Sequence, residues 1–434
     1  MNSPKIAVLT FPGNNCEIET VRALKTAGFQ SEVFLWNRKP SELETFDGVV
    51  IPGGFSFEDR GRSGIVSSQE PIFQTLKKLA DNGAPILGIC NGAQMLVESG
   101  LILSDENNIP ALALLDNKRT NEAGEILGTG FYHSYRTLKS VNKKTPFSNF
   151  SKNIHIPIAH GEGRFTLTPE MEKAVIEKNL IVFTYINEKG EEDNHYPTNP
   201  NGSFKNAAAI CNPKGNVVAL MPHPERNENG NPVFTSLFKY FEEKENFELN
   251  NQKVDVPTFK NITPQSINSE EISVLVKLKI TDKTEKTFEN VLKITLIRQE
   301  KWGFVFSKNL NTKEKIDNIS EIINSGELVN LNKQSVTAKI DNSWYIFSDK
   351  NTFKQIESTD IKKYEELEKN SFIVSAKEDF KGQEKQEHLS HVLQEISLHS
   401  ANFGTCWTVP ENKKEEYISH SLFSTRVGDE IKIF

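Results

Sequence analysis

ILGICNGAQML, residues 86–96, is a short apolar run that stops at a cysteine between glycines and then turns helical. The apolar part predicts a buried strand, and a helix is expected from about Gly92 to Gly100. Gly88 and Gly92 stand two residues either side of Cys90. Small residues there allow a strained strand-turn-helix elbow that lifts a sulfur above a sheet and sets it near the positive end of a helix. Such a place favours a thiolate and leaves N–H groups beside it as oxyanion donors. A free cysteine is also an ordinary core residue. This segment alone therefore leaves nucleophile and bystander both open.

Upstream, IAVLTF ends at Pro12-Gly13, a helix is expected over Glu17 to Ala27 with its stop at Gly28, and a strand follows over Ser31 to Trp36. FDGVVIPGGF, residues 46–55, and a helical stretch from Glu70 to Asn82 lead into the cysteine segment. Glycine-bounded apolar strands alternating with helices predict an α/β unit with a mostly parallel sheet. Its site belongs at the carboxyl ends of the strands, where IPGGF and GIC both fall. Downstream, VVALMPHPER (217–226) presents His223 and Glu225 two residues apart. On an extended backbone that spacing puts both on one side, so the carboxylate can hold an imidazole that deprotonates Cys90. His223 taken alone reads equally as a surface histidine. Three such features, each at a strand end, point to a site.

The 434 residues, 37% hydrophobic and 25% charged, exceed what one small binding module needs. The net charge of -7 and the lack of a long basic run exclude nucleic acid and an anionic membrane as default partners. No apolar run approaches the roughly 20 residues a bilayer requires, and the start MNSPKIAVLTFPG lacks a signal-length apolar core, so the cytoplasm is expected. Four dispersed cysteines and nine scattered histidines, without CxxC or HExxH, offer neither a disulfide scaffold nor a structural metal site.

Residues 1–250 hold 20 of the 25 glycines and 16 of the 19 prolines, and the remainder is rich in Lys, Glu, Asn and Ser. A boundary in the polar stretch around Glu245 to Pro257 follows, with domains at 1–245 and 251–434. The second domain reads as α+β. Strands are expected at Ser273 to Ile280, half-buried through Val274, Val276, Leu278 and Ile280, and at Val291 to Ile297, Trp302 to Phe306, Ser335 to Ile340 and Ser343 to Phe347. Helices are expected near Asp360 to Lys369 and Leu389 to Ser397. His388, His391 and His399 read as solvent-facing, and Trp302, Trp344, Trp407 and Cys406 as core. No phosphate-cradling GxxxxGK occurs, and the sequence assigns this domain no role.

Together GICNGAQ, PGGFSFEDRGRSG, IAHGEGRF and ALMPHPER resemble the class I, Cys-His-Glu, glutamine amidotransferases. FPGNNC and NPNGS make the chain most similar, within that class, to the glutaminase subunit of phosphoribosylformylglycinamidine synthase, over about residues 4–240. The resemblance implies a flavodoxin-like α/β fold with Cys90 as nucleophile, His223 as general base and Glu225 as its orienter. It further implies oxyanion-hole amides at Gly54 and Asn91, with Gln94 bordering the glutamine pocket. L-glutamine would be hydrolysed through a thioester, and the ammonia passed to a synthetase subunit that uses ATP and Mg, with a small accessory subunit as a further partner. The chain itself would need no cofactor and no metal. A class I glutaminase serving a different synthetase, and a non-catalytic regulatory homologue, are the alternatives; the intact triad argues against the latter. Ala93, where the family carries a large aromatic, the loop EDRGRSG and the stretch from Leu115 to Leu138 depart from the family pattern. His160 in IAHGEGRF fits an interface or loop role and a packed histidine equally well.

Overall fold

The first strand, β1 (Lys5–Thr10), is buried from Ile6 onward, and β2 (Gln30–Leu35), β3 (Gly48–Ile51) and β4 (Ile86–Ile89) follow it, separated by helices Glu17–Thr26 and Ile72–Asp81. Glu17 and Glu19 in the first turn and Lys25 in the last complement the dipole of the helix Glu17–Thr26. Gly28 ends it at φ +104, where a Cβ would lie 2.9 Å from Phe238. After β4 and the helix Asn91–Glu98 come β5 (Leu112–Asp116), the ribbon strands β6 (Lys118–Thr120) and β7 (Ile126–Thr129), and the long strands β8 (Tyr132–Ser140) and β9 (Ile154–His160). β10 (Glu162–Leu167), β11 (Ile181–Ile186), β12 (Ala207–Cys211) and β13 (Val217–Leu220) complete the set, before the helix Asn231–Glu242.

This computed structural model describes residues 3–259, 262–348 and 350–434. They divide into two units, Met1–Phe259 and Lys260–Phe434. Among the described residues, unit 1 holds a nine-stranded sheet in the order β2-β1-β3-β4-β13-β12-β11-β8-β9. The pairs from β2 to β13 are parallel, as expected for α/β units. Beyond β13 every pair is antiparallel. The parallel expectation thus holds for only half of the sheet. The short turn Asn212–Asn216 between β12 and β13 forces the change, because a connection that short can only reverse the chain. The carboxyl ends of β1, β3, β4 and β13 lie side by side and set the place of the site.

The segment after the helix Asn231–Glu242 stays with unit 1. Phe247, Leu249, Val254, Val256 and Phe259 pack on its core, Asn250 N donates to Lys144 O at 3.0 Å, and Phe259 N donates to Asp105 Oδ2 at 2.9 Å. The division at Phe259 therefore falls later than the polar composition placed it, because alternate apolar side chains in that polar stretch reach the core.

Unit 2 is α+β. Its strands are β14 (Gln265–Ser266), β15 (Ile272–Leu278), β16 (Ile297–Phe306), β17 (Gln334–Ile340), β18 (Ser343–Phe347), β19 (Phe353–Gln355), β20 (Ser371–Ala376), β21 (Leu398–Thr408) and β22 (Asp429–Ile433). They form one sheet in the order β14-β22-β20-β21-β16-β15-β17-β18-β19. Ile272, Val274 and Val276 pack with Ile319, Ile322 and Leu389 on one side, while Leu275 packs with Trp344, Ile373 and Cys406 on the other. β15 is therefore buried on both faces rather than half-buried, and Ile280, placed on its apolar face by alternation, lies outside the strand and is exposed. Val291 and Leu292 end the helix Lys283–Leu292 instead of opening a strand. The helix near Leu389 runs Phe380–Val392. His388, His391 and His399 are exposed, and the three tryptophans are buried. Lys301, buried at the centre of the sheet, is paired with Glu271 and donates to Asn402 at 3.0 Å. Among the described residues no helix is long and apolar enough to cross a membrane.

Candidate active site

Cys90 follows the fully buried β4 and caps the helix Asn91–Glu98, all eight residues of which are buried. Its backbone stands at φ 50, ψ -106, outside the regions that L residues favour. The glycines flanking it are there for backbone contact. A Cβ on Gly88 would lie 2.4 Å from the Gly92 carbonyl oxygen, and one on Gly92 would lie 2.1 Å from that of Ile51. Cys90 N donates to Leu220 O at 2.8 Å, which ties the elbow to β13, and the thiol points to Ala159 O of β9 at 3.6 Å. The sulfur thus sits over the sheet edge at the amino end of a helix, where unpaired N–H groups gather.

β13 ends at Leu220, and His223 N is held by Pro157 O at 2.8 Å. The pairing of His223 with Glu225 does not come from an extended strand. Residues Pro224–Arg226 form a short 3-10 turn that folds the carboxylate back on the ring, as the prolines at 222 and 224 favour bent backbone. His223 Nδ1 lies 2.6 Å from Glu225 Oε1, with both side chains buried. Donation from Nδ1 leaves Nε2 as the ring's acceptor. Nε2 is buried and makes no hydrogen bond of regular geometry. Burial alone would depress the imidazolium, yet Glu225, then Cys90 and Cys16, outweigh it and hold the His223 pKa well above its ordinary value.

Gly53 fixes how close these groups come. A Cβ there would lie 2.7 Å from His223 Cε1, 3.4 Å from Cys16 Sγ and 3.4 Å from Cys90 Cβ, so all three surround one α-carbon. Donor atoms of Cys16, His223 and Glu225 lie within 4.8 Å of one another. Gly54, at φ +148, bridges to Asn14, where a side chain would collide with the backbone.

Asn91 is fully buried and works through its side chain: Oδ1 accepts from Ser56 N at 3.0 Å, and Nδ2 donates to Gln94 Oε1 at 3.0 Å and to Asp59 Oδ1 at 3.2 Å. Gln94 spends its other end on Glu162 O at 2.6 Å. Gln94 therefore ties the elbow helix to β10, and its amide is engaged at both ends. In the loop after β3, Phe57, Glu58 and Asp59 take φ of 50, 59 and 50. Arg62 anchors it to Glu98 by two hydrogen bonds, 3.1 and 2.8 Å. Two carboxyls under this loop are held toward the acid form. Burial pushes Asp59 up to about 6, against hydrogen bonds from Ser63 and Asn91. Burial pushes Glu162 up to about 7, although Ser63 donates to it through N and Oγ. His160, whose Nδ1 lies 3.2 Å from Asn117 Oδ1, is driven down to about 3 by burial and by the charge of His223, and is neutral.

His223 and Glu225 are hydrogen-bonded and share the space around Gly53 with Cys90 and Cys16, Arg226 reaches Cys16, and Glu162 holds Gln94 and Ser63; sequence reasoning does not single out Cys16, Gly53, Arg226 or Glu162. Each was present in a quoted segment: Cys16 in FPGNNC, Gly53 in IPGGF, Arg226 in MPHPER and Glu162 in HGEGRF.

The family described as CobB/CobQ-like glutamine amidotransferase domain matches residues 3–246. The chain is 41% identical over 262 residues to the phosphoribosylformylglycinamidine synthase subunit PurQ of Methanothrix thermoacetophila, across 55% of this chain and 99% of that one. It is 37% identical over 246 residues to the PurQ subunit of Methanocaldococcus jannaschii, across 54% and 98%. Among solved structures it is similar to a chain in the structure of PurLQS from Thermotoga maritima, at 32% identity, 55% and 99% coverage and a TM-score of 0.44.

Proposed function

Since this chain belongs to the CobB/CobQ-like glutamine amidotransferase family, we propose that unit 1 hydrolyses L-glutamine through a thioester on Cys90, with His223 as base and Glu225 as its orienter. The observation that carries this reading is a buried imidazole whose Nδ1 is held by Glu225 and which shares the space around Gly53 with Cys90. Nε2 takes the thiol proton, and the sulfur attacks the side-chain amide carbon. The oxyanion that forms lies near the amino end of the helix Asn91–Glu98 and the Gly53-Gly54 turn, whose N–H groups stabilise it. His223 returns the proton to the leaving nitrogen, and ammonia departs. Water, deprotonated by His223, then cleaves the thioester to glutamate, and the proton returns to sulfur. The test is ammonia release by the purified chain. Cys90→Ala is expected to abolish it, and undiminished release by that variant would overturn the assignment.

The names of the relatives support a finer reading. The ammonia feeds a separate synthetase chain that uses ATP and Mg to form phosphoribosylformylglycinamidine in purine biosynthesis. Ile126, Leu127, Phe131 and Tyr135 are exposed on β7, β8 and the turn joining them, and such an apolar surface suits a partner. Unit 2, whose sequence carries no phosphate-cradling GxxxxGK, serves docking in this reading. Glutamine turnover should rise when the synthetase is added, and Cys90→Ala should still support amidation driven by ammonium salts. Turnover indifferent to the synthetase would remove it as the acceptor.

A further inference from the structure

The mechanism uses one oxygen of Glu225 and leaves open what keeps that carboxylate in place. Oε1 accepts from His223, and Oε2 is buried without a hydrogen bond. A carboxylate held at one point can turn about its bonds, and the imidazole would turn with it. The neighbouring side chain lies beside the carboxylate at ion-pair distance. Arg226 Nε stands 3.9 Å from Glu225 Oε1, and Arg226 Nη2 donates to Cys16 Sγ at 3.0 Å. Cys16 is fully buried where the helix Glu17–Thr26 begins, and its carbonyl accepts from Thr20 N at 3.1 Å and Thr20 Oγ1 at 2.7 Å. Its thiol donates to Asn15 Oδ1 at 3.2 Å while the sulfur accepts from Arg226, so both of its polar functions are engaged. Asn15 N in turn donates to Gly53 O at 3.2 Å. The guanidinium is therefore fixed from the β1 loop, an element remote in sequence from the turn it braces.

We propose that Arg226, seated on Cys16, is a positioning residue that fixes Glu225 and, through it, the orientation and charge of His223. The proposal rests on the glutaminase reading of the site. The charge argument has a definite sign. Glu225 favours the imidazolium, whereas a cation beside it opposes that form and so keeps the ring closer to the neutral state that accepts a proton. Removing the cation moves the acidic limb of the activity profile to higher pH. Moving the ring itself lowers kcat, since a base must lie within hydrogen-bond reach of its proton. Substrate binding, which uses neither group, is left nearly as it was.

The experiment measures glutamine turnover by the full chain, as kcat, KM and pH profile, for Arg226→Met, Arg226→Lys, Cys16→Ala and Cys16→Ser. Arg226→Met is expected to lower kcat about 10-fold or more with KM changed less than about 2-fold, and to move the acidic limb upward by roughly half a unit to one unit. Arg226→Lys keeps the charge and restores the limb, though the fork to sulfur and carboxylate is lost and kcat recovers only in part. Cys16→Ala shifts kcat in the same direction, and Cys16→Ser, which keeps a donor and an acceptor, lies nearer the parent. An Arg226→Met variant with unchanged kcat and profile overturns the proposal. So does a loss that tracks thermal stability, with an unmoved limb and no recovery in Arg226→Lys. Alkylation of Cys90 by iodoacetamide, followed by peptide mass spectrometry across the same pH range, needs no glutamine. Should the parent chain release no ammonia, the glutaminase reading fails, and the alkylation profile still decides: a shift in Arg226→Met retains the positioning role, and an unmoved profile overturns it.

Discussion

Gly53→Ala tests the active-site geometry with a single methyl group. The new Cβ would stand 2.7 Å from His223 Cε1, where unstrained carbon contacts need about 3.5–4.0 Å. Gly53 is outside the left-handed region, so alanine meets no backbone objection there. Cys16 Sγ and Cys90 Cβ, each 3.4 Å from the new atom, leave it no other direction. The imidazole must therefore yield by about 1 Å. It is tethered on the far side by Glu225 at 2.6 Å and by its own N–H to Pro157. A displacement of that size at a catalytic group is expected to lower kcat by roughly 100-fold, equivalent to about 2.7 kcal/mol. Overpacking lowers stability by about 1–3 kcal/mol, which a chain of this size survives. Ammonia release at saturating glutamine gives the first number, and denaturant unfolding the second. A folded Gly53→Ala variant with kcat within about 3-fold of the parent would refute the placement of His223 as the base for Cys90.

Glu225→Gln keeps a hydrogen-bond acceptor but removes the charge that holds the His223 pKa up, and kcat should fall roughly 10²–10⁴-fold with KM little changed. Parent-like steady-state rates would remove Glu225 from the constellation. Asp59 and Glu162 are raised to about 6 and about 7, so the folded chain favours their protonated forms; the stability this gives is complete below the ordinary carboxylate range and is lost as pH climbs through those values. Thermal unfolding of the parent should therefore show unit 1 weakening from about pH 4 to about pH 7, with a shallower decline in Glu162→Gln. An identical slope in that variant would contradict the burial argument. In unit 2, Lys301→Met strands the buried Glu271 and should lower stability by about 3–5 kcal/mol, while the double change with Glu271→Leu recovers most of it. Denaturant titration that finds the double variant no better than the single one would show that the pair does not act as a unit.

The local part of this structure was legible because it obeys local rules. β4, the elbow at Cys90 and the helix after it follow from an apolar run between glycines, and those glycines are explained by neighbouring backbone, which an added Cβ would meet within 2.4 Å. Elements that failed to announce themselves did so for particular reasons. The helix Lys283–Leu292 ends at Lys293 in the left-handed conformation, with no glycine to mark the stop, so VLKITLI reads as a strand. β21 carries Ser400, Asn402 and Thr405 among its eleven residues and lacks a clean apolar alternation, yet it sits between β16 and β20 and is held there by a long ladder. The turn that brings Glu225 back on His223 was read as a straight strand, since a spacing of two fits both. Cys16 lies 210 residues from Arg226 in the chain, and no spacing rule connects them. Only the sheet order, which sets β1 next to β3 and β13 next to β4, makes them neighbours.

Cys90 holds a backbone geometry that a side chain resists, at φ 50 and ψ -106. Such a conformation costs about 1–3 kcal/mol for a residue other than glycine. The proposed nucleophile is therefore a standing liability to the fold that carries it, and glycine at that place is expected to make a sturdier protein without that chemistry. Random change offers that exchange continually, and most native chains have little stability to spare. Only the proposed thioester chemistry calls for a cysteine there. In a lineage no longer dependent on the ammonia, position 90 would be among the first to drift, and the drifting chain would gain thermal stability as it lost its purpose.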